Sequence, residues 1–176
     1  MPHPVFGNTM FAGKESKNGN KCCQVFANNF GWARAHPLKQ KGKAHEALLL
    51  MFKRDGVPPE MILDGSMEQV KGAFRRILKE VNCHLRMTEP YLPWQQAAEG
   101  CICKLKQGVS RKMIKTGAPK CLWDHCIELE GLICSHTAND IYATDGEVPD
   151  LGRMANLRLV DKRGEELVKL KLQVLA

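Results

Sequence analysis

The sequence predicts an α/β domain in which a mixed β-sheet is flanked by helices. Three observations favour this class. The first 40 residues contain three short apolar segments joined by turns, the segments that follow alternate between helical and extended patterns, and 44% of the 176 residues are apolar. A chain of this length can bury one core without disulfides or metal. The predicted order of elements is β-β-β-α-β-α-β-α-α, which is typical of a layered domain.

The first three predicted strands form an antiparallel meander. They cover residues 5–11, 22–27 and 30–38. The first two are separated by a polar segment that contains Asn18-Gly19, a dipeptide typical of tight hairpins. The third includes Trp32, which we expect in the core.

Helical periodicity begins after the meander. Apolar residues recur at i, i+3, i+4 and i+7 in three later segments, and short apolar segments lie between them. Ser66-x-x-Gln69 resembles a capping box at the start of the second helix. In chain order the predicted elements are a helix at 43–54, a strand at 60–64, a helix that carries Phe74 and Ile77, a strand at 84–88, and helices at 95–106 and 120–137.

The charge balance points to a polyanionic partner. Lys and Arg number 26 and Asp and Glu number 19, which gives a net charge of +7 and a pI near 9.0. Such a balance suits nucleic acid. No apolar run approaches the ~20 residues that cross a bilayer, and no hydrophobic region typical of a signal peptide follows Met-Pro-His-Pro at 1–4. We therefore expect an intracellular protein, nuclear or cytoplasmic, and neither a membrane protein nor a secreted one.

The eight cysteines predict buried, reduced thiols. Without a secretion signal, disulfides are a poor expectation. None of the close pairs (22 and 23, 101 and 103, 121 and 126) has the spacing of a zinc chelate. A cysteine-dependent zinc module nevertheless stays open as an alternative.

Two carboxylates have the positions of metal ligands. Asp64 ends a predicted strand, and Glu99 lies one turn into a helix with Lys106 on the same face. Between Gly100 and Lys120 there are six basic residues and no acidic one. Carboxylates beside such a segment suit Mg²⁺ and phosphate. The predicted phosphate contacts are Lys104, Lys106, Arg111 and Lys112. In the alternative interpretation, Asp64 caps a helix and Glu99 is a solvated side chain.

Most of the chain up to residue 149 resembles the integrase core of Copia-type retrotransposon polyproteins. The resemblance includes Asp-Gly-Val-Pro-Pro-Glu at 55–60 and Pro-Trp-Gln-Gln-Ala-Ala-Glu at 93–99. The segments that carry it are 24–39, 41–48, 55–66, 83–99, 122–130, 135–139 and 146–149.

The resemblance implies a ribonuclease H-like fold with a DDE active site. It makes Asp64 the second carboxylate and Glu99 the third, and the 34 residues between them are close to the family's spacing. Such carboxylates hold a pair of Mg²⁺ or Mn²⁺ ions, which activate the attacking hydroxyl and stabilise the leaving oxygen at phosphorus. The implied reactions are DNA 3′-end processing, with water as nucleophile, and strand transfer, with a DNA 3′-hydroxyl.

One residue departs from the family at the first carboxylate. The family has a motif of the kind Thr-Asp-Thr-Met-Phe-Ala, whereas this chain has Gly-Asn-Thr-Met-Phe-Ala at 7–12, which puts Asn8 in the place of the aspartate. An amide oxygen can bind Mg²⁺ but carries no charge, so we expect weak or lost metal binding and weak or absent strand transfer. Cys103 lies on the Glu99 face, where the family commonly has a basic residue.

The resemblance ends at residue 149, which predicts a core-like domain at 1–149 and a C-terminal extension at 150–176. The chain is thus expected to be a degenerate integrase core. Its main rival is a catalytically inactive module that binds DNA or multimerises, so a homo-oligomer is a further expectation. An unstable relic without function is the remaining alternative.

Overall fold

The computed structural model describes residues 1–64, 72–88 and 97–137. Its elements follow the predicted order. They are β1 (Val5–Phe11), β2 (Cys22–Ala27), β3 (Ala33–Leu38), α1 (Ala44–Asp55), β4 (Glu60–Leu63), α2 (Gly72–Glu80), β5 (His84–Met87), α3 (Ala97–Thr116) and α4 (Trp123–His136). Single 3₁₀ turns at Lys41–Lys43 and Lys120–Leu122 precede α1 and α4.

The five strands form one mixed sheet in the order β3-β2-β1-β4-β5. The meander β1-β2-β3 is antiparallel, while β4 pairs with β1 and β5 pairs with β4 in parallel. This arrangement confirms the predicted sheet of three antiparallel and two parallel strands. Parallel pairing requires crossover connections, which α1 and α2 supply.

The two faces of the sheet bury separate cores, because side chains alternate along each strand. On one face, Val5, Phe26 and Leu63 belong to a core that includes residues of α1 and α2. On the other face, Met10 and Val25 pack with residues of α3 and α4. Trp32, predicted to lie in the core, is 1% exposed, and Trp123 at the start of α4 is 8% exposed.

Two boundaries differ from the predicted ones. Strand β3 begins at Ala33 rather than at residue 30, because Asn28 organises a turn: its Oδ1 accepts the N–H groups of Phe30 and Trp32 at 2.9 and 3.1 Å. Helix α3 continues ten residues past Lys106. Gly108 lies inside this helix, where Glu130 of α4 packs against it.

Helices α4 and α1 expose several apolar side chains. Leu129 is 51% exposed and Ile133 is 37% exposed, and on α1 both Leu49 and Leu50 are also exposed. In the described ranges, none of the helices combines the length and apolarity needed to cross a bilayer. The predicted capping box at 66–69 and the domain boundary at 149 lie outside the described residues.

Candidate active site

Asn8 and Asp64 lie on neighbouring strands. The parallel register of β1 and β4 pairs Gly7 with Leu63. Asp64 directly follows Leu63, so the same register continues to place it beside Asn8. Gly7 leaves room for the Leu63 side chain, since a Cβ atom at position 7 would lie 2.6 Å from Leu63 Cδ2.

Both residues lie on the face of the sheet that α3 covers. Phe6 and Ile62 precede Asn8 and Asp64 by two positions, and side chains two apart share a face. These two buried side chains form a small cluster with Ala98, in the first turn of α3. Glu99 is the next residue and is exposed. The structure thus gathers β1, the end of β4 and the start of α3 at one corner, here called the Asp64–Glu99 site.

The donors at this corner are oxygen atoms, which Mg²⁺ prefers. Asp64 and Glu99 are exposed carboxylates, and Asn8 is a half-buried amide. Asn8 Oδ1 also accepts the N–H of Thr9 at 2.7 Å, so it would be shared with the backbone. Two carboxylates and an amide suit one hard cation but carry one charge less than three carboxylates. Within the described ranges, no group of three or more His, Cys, Asp or Glu is arranged to hold a metal ion.

The four predicted phosphate contacts do not share one face of α3. At about 100° per residue, Lys106 lies about 20° from Glu99 around the helix, whereas Arg111 and Lys104 lie about 120° and 140° away. Lys104 lines a cavity of about 350 Å³ whose walls include Asn28, Cys101 and Cys134. Burial raises the pKa of the Cys101 thiol to about 12, so this thiol is uncharged at neutral pH. Among these four, Lys106 is therefore the residue aligned with Glu99.

Lys112 is already engaged inside the protein. Its ammonium group contacts the carboxylate of Glu130 on α4, whose side chain is 10% exposed. Glu130 occupies the space beside Gly108, where a Cβ atom would clash with it. To contact a phosphate, Lys112 would have to leave this carboxylate. Sequence reasoning missed the pair, and the helical glycine one turn before Lys112 was its only local signal.

The basic residues at 34–43 fall into a buried pair and a group of lysines. Arg34 is 3% exposed and binds Asp55, and His36 is half-buried. Burial lowers the pKa of His36 to about 4, with Asp55 opposing the shift and Arg54 and Arg34 adding to it. Neither residue therefore belongs to a charged surface. Lys39 and Lys43 are exposed, and Lys41 is half-buried.

Solved structures similar to this chain include retroviral integrase catalytic cores. The HTLV-2 integrase catalytic core in complex with magnesium (trimeric form) has 14% identity and a TM-score of 0.65, covering 85% of this chain and 94% of that one. The core of BIV integrase has 12% identity and a TM-score of 0.67, covering 88% and 95%. The chain has a ribonuclease H-like fold. No family model matches its sequence, and neither does any curated protein.

A larger assembly contains the same fold. The simian T-cell lymphotropic virus intasome, solved by cryoEM in complex with PP2A regulatory subunit B56 gamma, matches with 16% identity and a TM-score of 0.64. The match covers 84% of this chain and 54% of that one. At sequence identities of 12–16%, this likeness establishes the fold alone.

Proposed function

We propose that residues 1–149 are the catalytic core of an integrase of the Copia retrotransposon type, impaired by the amide at position 8. The observation that carries the proposal is the β1–β4 register, which brings residues 8 and 64 together under the first turn of α3. Residues 8, 64 and 99, which occupy the three DDE positions, come from distant parts of the chain. Metal-dependent phosphoryl transfer requires that they lie close together. The integrase-core fold and the net charge of +7 agree with DNA as the partner.

In this proposal Asp64 and Glu99 bind Mg²⁺ or Mn²⁺, and Asn8 adds a neutral oxygen. Bound divalent ions would activate the attacking hydroxyl and stabilise the leaving oxygen. Lys106 contacts phosphates next to Glu99, while Lys104 and Arg111 contact the DNA farther around α3. Lys112 contacts the DNA only after its ammonium group leaves Glu130. The missing charge at residue 8 weakens metal binding, so end processing and strand transfer are weak or absent. The protein would act inside the cell, in the nucleus or cytoplasm.

The test is restoration of the carboxylate. The chain and its Asn8→Asp variant are assayed with Mg²⁺ or Mn²⁺ on duplex oligonucleotides that carry the ends of the encoding element. We expect trace product from the natural chain and at least tenfold more from Asn8→Asp. Adding Glu99→Gln to Asn8→Asp should remove the gain. Asn29→Asp, in the exposed turn before β3, is the matched control and should stay at the natural level.

Robust activity of the natural chain would contradict the proposed impairment.

A folded Asn8→Asp variant without any gain in activity would instead favour a second candidate, an inactive module that binds DNA or multimerises. The amide at position 8 and four exposed apolar side chains on α1 and α4 favour it: Leu49, Leu50, Leu129 and Ile133. This module would show salt-sensitive DNA affinity that ignores divalent metal and Asp64→Ala, and it would form homo-oligomers in sedimentation experiments.

A further inference from the structure

The end of the sheet at the β1–β2 hairpin carries a dense group of lysines. Two segments meet there, residues 12–21 and 38–46, and together they contain six lysines and two glutamates, a net charge of +4. Each glutamate is paired within the group: Glu15 lies 3.5 Å from Lys21, and Glu46 lies 2.6 Å from Lys43. The lysines, here called the hairpin patch, are Lys14, Lys17, Lys21, Lys39, Lys41 and Lys43.

The backbone under the hairpin patch is fixed on two sides. Lys21 N–H donates to Leu38 O at 2.9 Å, which joins the two segments. Lys17 N–H donates to Cys121 O at 2.8 Å, and Trp123 Nε1 donates to Lys14 O at 2.9 Å, which tie the hairpin to the start of α4. The lysine ammonium groups therefore extend from a rigid base.

A carboxylate on α4 strengthens this attachment. Asp124 is 2% exposed, and its Oδ2 accepts the side-chain amides of Asn18 and Asn20 at 3.0 and 2.9 Å. Burial acts to raise the pKa of Asp124, but hydrogen bonds from Ser16, Asn20 and Asn18 keep it below its usual value. Asp124 therefore holds the hairpin that carries Lys17 and Lys21 against α4.

An exposed aromatic ring lies at the edge of the hairpin patch. Phe11 ends β1 and is 62% exposed. In the antiparallel register it pairs with Cys22, and Lys41 lies close enough to act on the Cys22 thiol, whose pKa burial raises and Lys41 lowers. The ring thus lies at the same end of the sheet as the lysines, and an exposed aromatic ring within a cationic surface is a combination that binds unpaired nucleobases.

We propose that the hairpin patch binds single-stranded nucleic acid, with its lysines on the phosphates and Phe11 stacked on an unpaired base. Lysine–phosphate contacts release counterions and supply affinity without regard to sequence. Stacking needs a free base face, which a duplex does not offer along its length, and this favours a single strand. The inference does not rest on the proposed integrase activity, because none of its residues belongs to the Asp64–Glu99 site.

The first test removes charge. Binding of a labelled 15-nucleotide DNA, an RNA of the same sequence and the corresponding DNA duplex is followed by fluorescence anisotropy at several salt concentrations. Replacing Lys14, Lys17 and Lys39 by Gln should lower the slope of log K against log salt for the single strands by about 2, at about 0.7 per contact. A matched triple variant, Lys53→Gln, Lys79→Gln and Lys115→Gln, loses the same charge elsewhere and should retain the slope.

The second test removes the ring. Phe11→Ala should weaken single-strand binding about tenfold with an unchanged salt slope and should leave duplex binding as it was. Glu80→Gln, at an exposed carboxylate outside both the hairpin patch and the Asp64–Glu99 site, should change neither. The proposal is overturned if both lysine triples lower the salt slope equally, or if Phe11→Ala weakens duplex and single-strand binding by the same factor. It is also overturned if a poly-glutamate peptide binds with the same affinity as DNA. A self-association that Phe11→Ala abolishes would likewise overturn it.

Discussion

Two groups of polar side chains on the same sheet have opposite surroundings. At the β3 edge, the side chains of Arg34 and Asp55 are 4% and 1% exposed and bind each other at 3.1 Å. At the Asp64–Glu99 site, both carboxylates face solvent. Removing charge from water is costly unless a partner compensates, so the first group has to be paired for the chain to fold. The second group has no such requirement and can serve a ligand.

The β3 group also connects the two layers of helices. Arg34 donates through Nη2 to Asp55 at the end of α1 and through Nη1 to Ser135 Oγ on α4, at 2.7 Å. Its guanidinium lies 5.2 Å from the centre of the Trp32 ring. Because β3 is an edge strand, this one side chain holds α1 and α4 together around the edge. The polar groups at the β3 edge therefore hold the fold together, whereas the fold only positions those of the Asp64–Glu99 site.

The largest effect is expected from breaking the buried pair. Asp55→Ala leaves the Arg34 charge buried without its carboxylate and should lower the free energy of unfolding by about 3–5 kcal/mol. Urea denaturation followed by circular dichroism measures this loss. Glu80→Ala is the matched control, since it removes an exposed carboxylate 4.0 Å from Arg76 and should cost at most about 0.5 kcal/mol. Equal losses in the two variants would show that the β3 group does not hold the fold.

A smaller effect is expected from acid, through His36. Its pKa is about 4 in the folded chain, against 6.5 in an unfolded one. Below pH 6.5 the unfolded chain therefore binds a proton that the folded chain does not, and stability falls until about pH 4. The loss should reach at most about 3 kcal/mol. Unfolding free energies measured across this pH range should decline less steeply for His36→Gln, and identical slopes would contradict the assignment.

The sequence anticipated the elements of the fold better than the pairing of buried charges. Short apolar segments and the Asn18-Gly19 turn are local patterns, so β1 and β2 could be delimited from them. The bonds of Arg34 to Asp55 and Ser135 span 21 and 101 residues, and no local pattern reports a contact of that range. The pair of Lys112 and Glu130 left Gly108 as its only local signal. Asp64 and Glu99 were selected from their positions, whereas residue 8 was selected through the family resemblance, and the strand register shows how residues 8 and 64 lie relative to each other.

The smallest effect on stability is expected at the Asp64–Glu99 site itself. Asp64→Asn and Glu99→Gln change exposed groups and should each alter the free energy of unfolding by less than about 0.5 kcal/mol in the absence of metal. If the site binds a divalent ion, millimolar Mn²⁺ should raise the thermal midpoint of the Asn8→Asp variant, because a ligand that binds the folded state stabilises it. Either substitution should cancel that rise, whereas Glu80→Gln should preserve it. A Mn²⁺ effect that survives both substitutions would place the metal elsewhere, and the exposed carboxylates would then be ordinary surface groups.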